Sequence, residues 1–183
     1  TFFPRYCQKA KKIATVSEFS KKDISYLYKL PLDKIDVIYN GVDELYQPAN
    51  KASIEEFKRN KTGGQDYFVF IGGLYLRKNL STVIKAFDAF KKKTQSPVKF
   101  LLAGKSYKET QELFELHQTL ENKQDIIFLG RVEPREQVPV LLSGALSLVY
   151  VSLFEGFGLP IAEAMQCGTP VITGNITAMP EIA

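Results

Sequence analysis

Cysteine is scarce in this 183-residue chain: Cys7 and Cys167 are too few for a disulfide framework, and free thiols in a reducing cytoplasm are expected. Histidine occurs once. His117 sits in ETQELFELHQTL, where Leu113, Leu116 and Leu120 take the inner side of a helix, so a surface or helix-flank residue is expected rather than a base. Long apolar runs are also missing. Stretches such as 68–71 and 99–103 fall far below the ~20 residues of a membrane span. The first twelve residues, with Arg5, Lys9, Lys11 and Lys12, lack the apolar centre and small-residue cleavage site of a secretory signal. The net charge is only +4; residues 1–43 hold eight lysines or arginines against five acids, and 44–183 hold sixteen against fifteen. No arginine-rich run, zinc spacing or RNP-like aromatic pattern accompanies that basic excess, so nucleic acid is not an expected partner. A solvated basic face is the simplest reading, with weak attraction to phosphates or lipid head groups as the other.

What is present is ordinary globular composition, 45% apolar and 24% charged, which excludes disorder, collagen-like repeats and coiled coil. From Tyr67 onward, apolar β-rich runs alternate with breaks and amphipathic segments, the pattern of a parallel α/β sheet. Strands are predicted at 67–71, 98–103, 125–129, 146–150 and 170–173, nearly wholly apolar as strands covered on both faces must be. Helices are predicted at 79–93, 109–120, 135–143 and 160–167. In the first, Leu80, Val83, Ile84, Phe87 and Phe90 form one stripe. In the last, Pro160 suits the first turn and Gly168 a left-handed stop.

Residues 1–43 read as a separate piece: a strand at 13–16, a helix capped by Ser17 and running to Leu30, and a strand at 35–38. Residues 44–50, with Pro48, read as a linker, and 51–183 as the second unit. The ending at 179–183 resembles a helix that has just begun, and a chain truncated at both ends is expected.

Two loops carry the chemistry. YFVFIGGLYLRKN places Gly72 and Gly73 at the carboxyl end of a buried strand, where ligands of open parallel sheets bind, with Arg77 and Lys78 just before a helix. The spacing fits neither GxxxxGK[ST] nor GxGxxG, and a tight turn with two solvated cations is an equal reading. FEGFGLPIAE is stronger: Gly156 and Gly158 flank an aromatic residue, Phe157, expected to be exposed, and Leu159-Pro160 opens a helix whose free N–H groups form an anion site. Glu155 in the loop and Glu163 about one turn into the helix are placed to accept hydrogen bonds from sugar hydroxyls, or are simply surface charges.

EGFGLPIAE, with seven residues between Glu155 and Glu163, resembles the E-x7-E motif of retaining GT-B glycosyltransferases of family four (glycosyl transferases group 1). TVSEFSKKDI, VIYNGVD, FIGGLYLRKNL, FLGRV and EAMQCGTPVI resemble further family blocks in the family's order, together covering nearly the whole chain. The resemblance implies the C-terminal half of a GT-B fold, a Rossmann-like parallel sheet with helices on both faces. Residues 51–183 would be the donor-binding domain and 1–43 the tail of the N-terminal, acceptor domain. It implies that Glu155 contacts the transferred sugar, Glu163 the ribose, and Lys78 the diphosphate, with Gly72 beside it. Backbone amides of Gly156, Phe157, Gly158 and Leu159 would meet the sugar hydroxyls and diphosphate, and Arg131 would lie where the base packs. Gly73 departs from the many members with arginine there, and Arg77 is the candidate replacement.

The implied activity is transfer of a sugar from a nucleotide-sugar donor, with retention, to a glycan or lipid-linked acceptor. The RKN sequence resembles mannosyltransferases, which points to GDP-mannose, with a UDP-sugar as the other donor. No DxD-like cluster occurs, no cofactor or metal is expected, and the protein's own cations would meet the leaving phosphate. The expected setting is the cytoplasm, peripheral to the membrane. Other readings are a nucleotide-sugar binding module without transfer activity or another GT-B enzyme such as an epimerase. Nothing in the sequence sets the oligomeric state.

Overall fold

The computed structural model describes residues 2–183. They form two separate parallel sheets. In the smaller, β1 (Ile13–Thr15) pairs with β2 (Ile35–Val37), Ile13 opposite Ile35 and Thr15 opposite Val37. The link between them is α2 (Glu18–Tyr28), which Ser17 caps by accepting the Ser20 N–H at 3.0 Å. Lys29, in the left-handed region at φ 52°, stops α2 before the predicted Leu30. A short helix, α1 (Phe3–Lys9), precedes β1, and Cys7 packs with Leu30 and Ile35 in a small core.

The larger sheet has five parallel strands: β3 (Tyr67–Ile71), β4 (Lys99–Ala103), β5 (Ile126–Gly130), β6 (Ser147–Tyr150) and β7 (Val171–Thr173). Their spatial order is β5-β4-β3-β6-β7. The chain therefore steps outward from β3 to β5 and then crosses back to β6, on the other side of β3. Such a reversal opens a crevice at the carboxyl ends of the two strands where it occurs, here β3 and β6.

Helices cover both faces. On one, α4 (Leu80–Thr94) packs with α5 (Gln111–Thr119); on the other, α3 (Lys51–Thr62) packs with α6 (Gln137–Ser143), and α6 with α7 (Leu159–Gln166). The chain closes with α8 (Met179–Ile182). The core holds Tyr67, Val69 and Phe70 of β3 with Leu101 and Leu102 of β4, all essentially fully buried. Among the described residues, no helix is long and apolar enough to cross a membrane.

Three departures from the sequence reading have physical causes. α3 carries only Ile54 and Phe57 as large apolar residues, too thin a stripe to announce itself, yet Asn50 caps it and Phe57 packs against the Tyr67 ring at 6.0 Å. The helix expected at 109–120 begins at Gln111, because 3-10 turn geometry occupies Lys108–Thr110. Residues 44–50 form no helix or strand, and Tyr46 within them is buried in the main core.

Candidate functional site

The segment after β3 runs through Gly72 and Gly73 into a 3-10 turn, Leu76–Lys78, and enters α4 through Asn79, left-handed at φ 59°. The strand ends crowd here. A Cβ on Gly104, after β4, would lie 1.8 Å from the Gly72 carbonyl oxygen, so the approach demands glycine. The turn delivers Arg77 and Lys78 to the mouth of β6. Lys78, only 5% exposed, donates to Glu155 Oε1 at 2.6 Å and to the Tyr150 hydroxyl. Arg77, half exposed, donates to the same carboxylate oxygen at 2.9 Å and to the Phe154 carbonyl at 3.1 Å. The Tyr150 hydroxyl donates to Glu155 Oε1 as well, at 3.2 Å.

One carboxylate oxygen thus holds two cations. Burial by itself raises the Glu155 carboxyl, but the bond from Lys78 and the charges of Lys78 and Arg77 outweigh it and hold the group below its ordinary value. Burial lowers the Lys78 ammonium, opposed by Glu155. Burial likewise pushes the Tyr150 phenol up, with Glu155 adding to the effect, so the phenol stays protonated and able to donate.

Position 73 has no room for a side chain. A Cβ there would stand 2.6 Å from the Tyr75 ring and 3.1 Å from Tyr107, whose rings stack at 4.3 Å. The Arg77 guanidinium lies over Tyr75 at 5.9 Å. The tyrosine pair therefore fills the space beside Gly73, and Arg77 stands with Lys78 on the Glu155 carboxylate.

The second loop faces the first. Gly158, at φ 107°, turns the chain into α7, with Pro160 in the first turn. Among the described residues, no protein acceptor takes the amide N–H groups of Gly156, Phe157, Gly158 and Leu159, which leaves four donors at the positive end of α7. Phe157 is not exposed as expected: it is 8% exposed, because the Tyr39 ring packs over it at 6.3 Å. The Gly156 carbonyl accepts from Ser17 Oγ at 2.6 Å and Ser20 Oγ at 3.0 Å.

Glu163 lies further along α7, part-buried, against Tyr46 of the segment between β2 and α3 and near Arg135. Burial raises its carboxyl, Tyr46 and Arg135 opposing. Arg131 is exposed and paired with Glu133 at 2.6 Å. It lines, with Gly72, Gly73, Gly104, Tyr107 and Val132, a cleft of about 420 Å3 at the ends of β3, β4 and β5. His117 lies away from this site; its Nε2 is 2.9 Å from the Lys123 carbonyl oxygen.

The structure thus brings Arg77, Lys78 and Glu155 together, sets Gly72, Gly73 and Arg131 on one cleft, and puts Gly156 to Leu159 at one helix start. Sequence reasoning missed Tyr150, Tyr46, the Tyr75–Tyr107 stack and the serine contacts with Gly156. Tyr150 alone left a signal, as the polar-tipped residue closing an apolar strand. Two cations beside four unused amides suit a ligand with several anionic oxygens.

The family model described as glycosyl transferases group 1 matches residues 52–183. Among curated proteins, O-antigen chain mannosyltransferase B of Escherichia coli is 34% identical over 94% of this chain and 45% of its own length. O-antigen chain mannosyltransferase RfbU of Salmonella typhimurium is 31% identical over 96% of this chain and 45% of its own. The chain spans about half the length of these relatives. Among solved structures, Anabaena HepE in complex with UDP and glucose superposes with a TM-score of 0.84 at 22% identity, covering 97% of this chain and 48% of that one.

Proposed function

The chain belongs to the glycosyl transferases group 1 family and has the Rossmann-like half of a GT-B fold, and we propose that it is the donor-binding part of a transferase that uses a nucleotide-sugar. The observation that carries this reading is the pairing of Arg77 and Lys78, next to Glu155, with four amides at the start of α7 that have no protein acceptor among the described residues. Breaking the bond between the anomeric carbon and the diphosphate oxygen places negative charge on the leaving diphosphate. Fixed cations and aligned N–H dipoles stabilise that charge without reorganising.

In this reading Arg77, Lys78 and the amides of Gly156, Phe157, Gly158 and Leu159 hold the diphosphate, which Gly72 and Gly73 allow to approach the β3 end. Glu155 lies against the transferred sugar and moves off the cations when the diphosphate arrives. Glu163, part-buried on α7, accepts from the ribose hydroxyls, and Arg131, on the cleft with Gly72 and Gly73, borders the base. The charge comes from the protein's own side chains, with no cofactor assigned. Transfer proceeds with retention of configuration.

Mannose is the proposed sugar, supported by the activity named for the two O-antigen relatives, and GDP-mannose is the proposed donor. A glycan or lipid-linked acceptor and a setting at the cytoplasmic face of a membrane complete the proposal, of which the O-antigen chain relatives support the glycan. A UDP-sugar is the second reading, favoured by the UDP complex of the structural neighbour.

The test is transfer of labelled hexose from GDP-mannose or UDP-glucose to lipid-linked glycan by the protein of the whole reading frame, with Glu155→Ala alongside. The expected result is α-linked mannosyl product, lost in the variant. Product that persists at wild-type rate in Glu155→Ala, or no transfer from either donor, overturns the assignment.

A further inference from the structure

We propose that Ser17 and Ser20 are positioning residues for the loop 155–159, and that they make its anion-binding conformation depend on how the small β1–β2 unit is seated. For its ligand the proposal rests on the nucleotide-sugar reading; for the loop itself it stands on geometry alone. Both hydroxyls donate to one acceptor, the Gly156 carbonyl, at 2.6 and 3.0 Å, across more than a hundred residues of sequence. Ser17 is fully buried and is committed on both sides, accepting the Ser20 N–H while donating to Gly156.

A trans peptide is planar, with its C=O and N–H on opposite sides. Holding the Gly156 carbonyl toward α2 therefore turns the Phe157 N–H away from α2, and among the described residues that N–H has no protein acceptor. The grip is reinforced at both flanks. Phe19 of α2 meets Phe154 edge-on at 5.6 Å, and Tyr39, beyond β2, packs on Phe157. The seating is locked by Glu181 of α8, whose carboxylate accepts the N–H groups of Glu18 and Phe19 at 2.7 and 3.1 Å and the Tyr39 hydroxyl at 2.8 Å. The first turn of α2 is thereby filled by the Glu181 carboxylate and the Ser17 hydroxyl, so it serves as a brace rather than an anion site.

Ser20→Ala is the clean variant, because it removes one bond to Gly156 and leaves the Ser17 cap. Ser17→Ala/Ser20→Ala removes both, and Ser20→Thr keeps the hydroxyl. Backbone 15N order parameters are measured on the ligand-free chain, and the affinities of UDP and GDP by calorimetry. In the wild type, residues 156–158 should have order parameters near ~0.85, falling below ~0.6 in the double variant, while 67–71 stay rigid. Ser20→Ala should weaken the bound nucleotide by about three- to tenfold, the loss of one neutral hydrogen bond. Ser20→Thr should restore it.

A merely structural role would lower the unfolding temperature and leave both the loop order and the affinity at wild-type values, which overturns the proposal. If wild-type protein binds neither nucleotide, the nucleotide-sugar reading fails, and the order parameters still decide the positioning role.

Discussion

Replacing Glu155 by glutamine should change stability and nucleotide affinity in opposite directions. Its Oε1 holds Lys78, Arg77 and the Tyr150 hydroxyl at once, and Lys78 is almost wholly buried. Removing one partner of a buried ion pair costs about 3–5 kcal/mol. The amide oxygen of glutamine still accepts a bond from the ammonium, worth ~1.5–3 kcal/mol, so the net loss should be about 2 kcal/mol. For a domain of this size that lowers the unfolding temperature by roughly 4–8 °C. A nucleoside diphosphate supplies the missing anion without first displacing a carboxylate, so UDP or GDP should bind Glu155→Gln more tightly than wild type. Acid behaviour gives a second readout. The Glu155 carboxyl binds its proton more weakly in the folded protein, so its stabilisation is complete above the ordinary value of 4.5 and is lost as pH falls through the lower folded value. That part of the acid transition should vanish in the variant. Thermal unfolding with and without nucleotide, over pH 3–7, is the assay. An unchanged unfolding temperature, or weaker nucleotide binding by the variant, would refute the reasoning.

Lys78→Ala should weaken diphosphate binding by about 1.5–3 kcal/mol, the worth of a charge-assisted hydrogen bond, as read by calorimetry. Gly73→Arg should destabilise the protein by ~1–3 kcal/mol in urea unfolding, since its Cβ overlaps the Tyr75 ring, and adding Tyr75→Ala should recover most of that. Gly104→Ala should be the most damaging of these, beyond about 4 kcal/mol, because the clash is with the Gly72 backbone at 1.8 Å and no side chain can move aside. Failure to recover soluble protein, or a midpoint far below wild type, is the expected outcome.

The strands and most helices of the larger sheet were legible because each buried segment carries its own period: unbroken apolar runs at Tyr67–Ile71 and Lys99–Ala103, a three-and-four stripe in α4. α3 was not, because its large apolar residues are only Ile54 and Phe57, and the Asn50 cap, the Gly63 stop and packing on Tyr67 and α6 hold it rather than a long stripe. At the site, residues adjacent in sequence were readable: Arg77 with Lys78, and the loop from Glu155 to Leu159. What the sequence hid is long-range. No spacing rule joins Lys78 to Glu155 and Tyr150, or Ser17 to Gly156, since those contacts exist only once β3 and β6 lie side by side and α2 packs on the loop. Phe157 shows the same limit: glycines on both sides suggest exposure, and a ring from residue 39 covers it.

The central claim is that this chain carries a site for a nucleotide diphosphate at the carboxyl ends of β3 and β6, whose cations Glu155 holds until the ligand takes its place. Calorimetric titration of the 183-residue chain with GDP, UDP and ADP tests it most directly. One of them should bind with one-to-one stoichiometry and lose affinity in Lys78→Ala. Absence of binding by all three, or binding that Lys78→Ala leaves unchanged, would contradict the account.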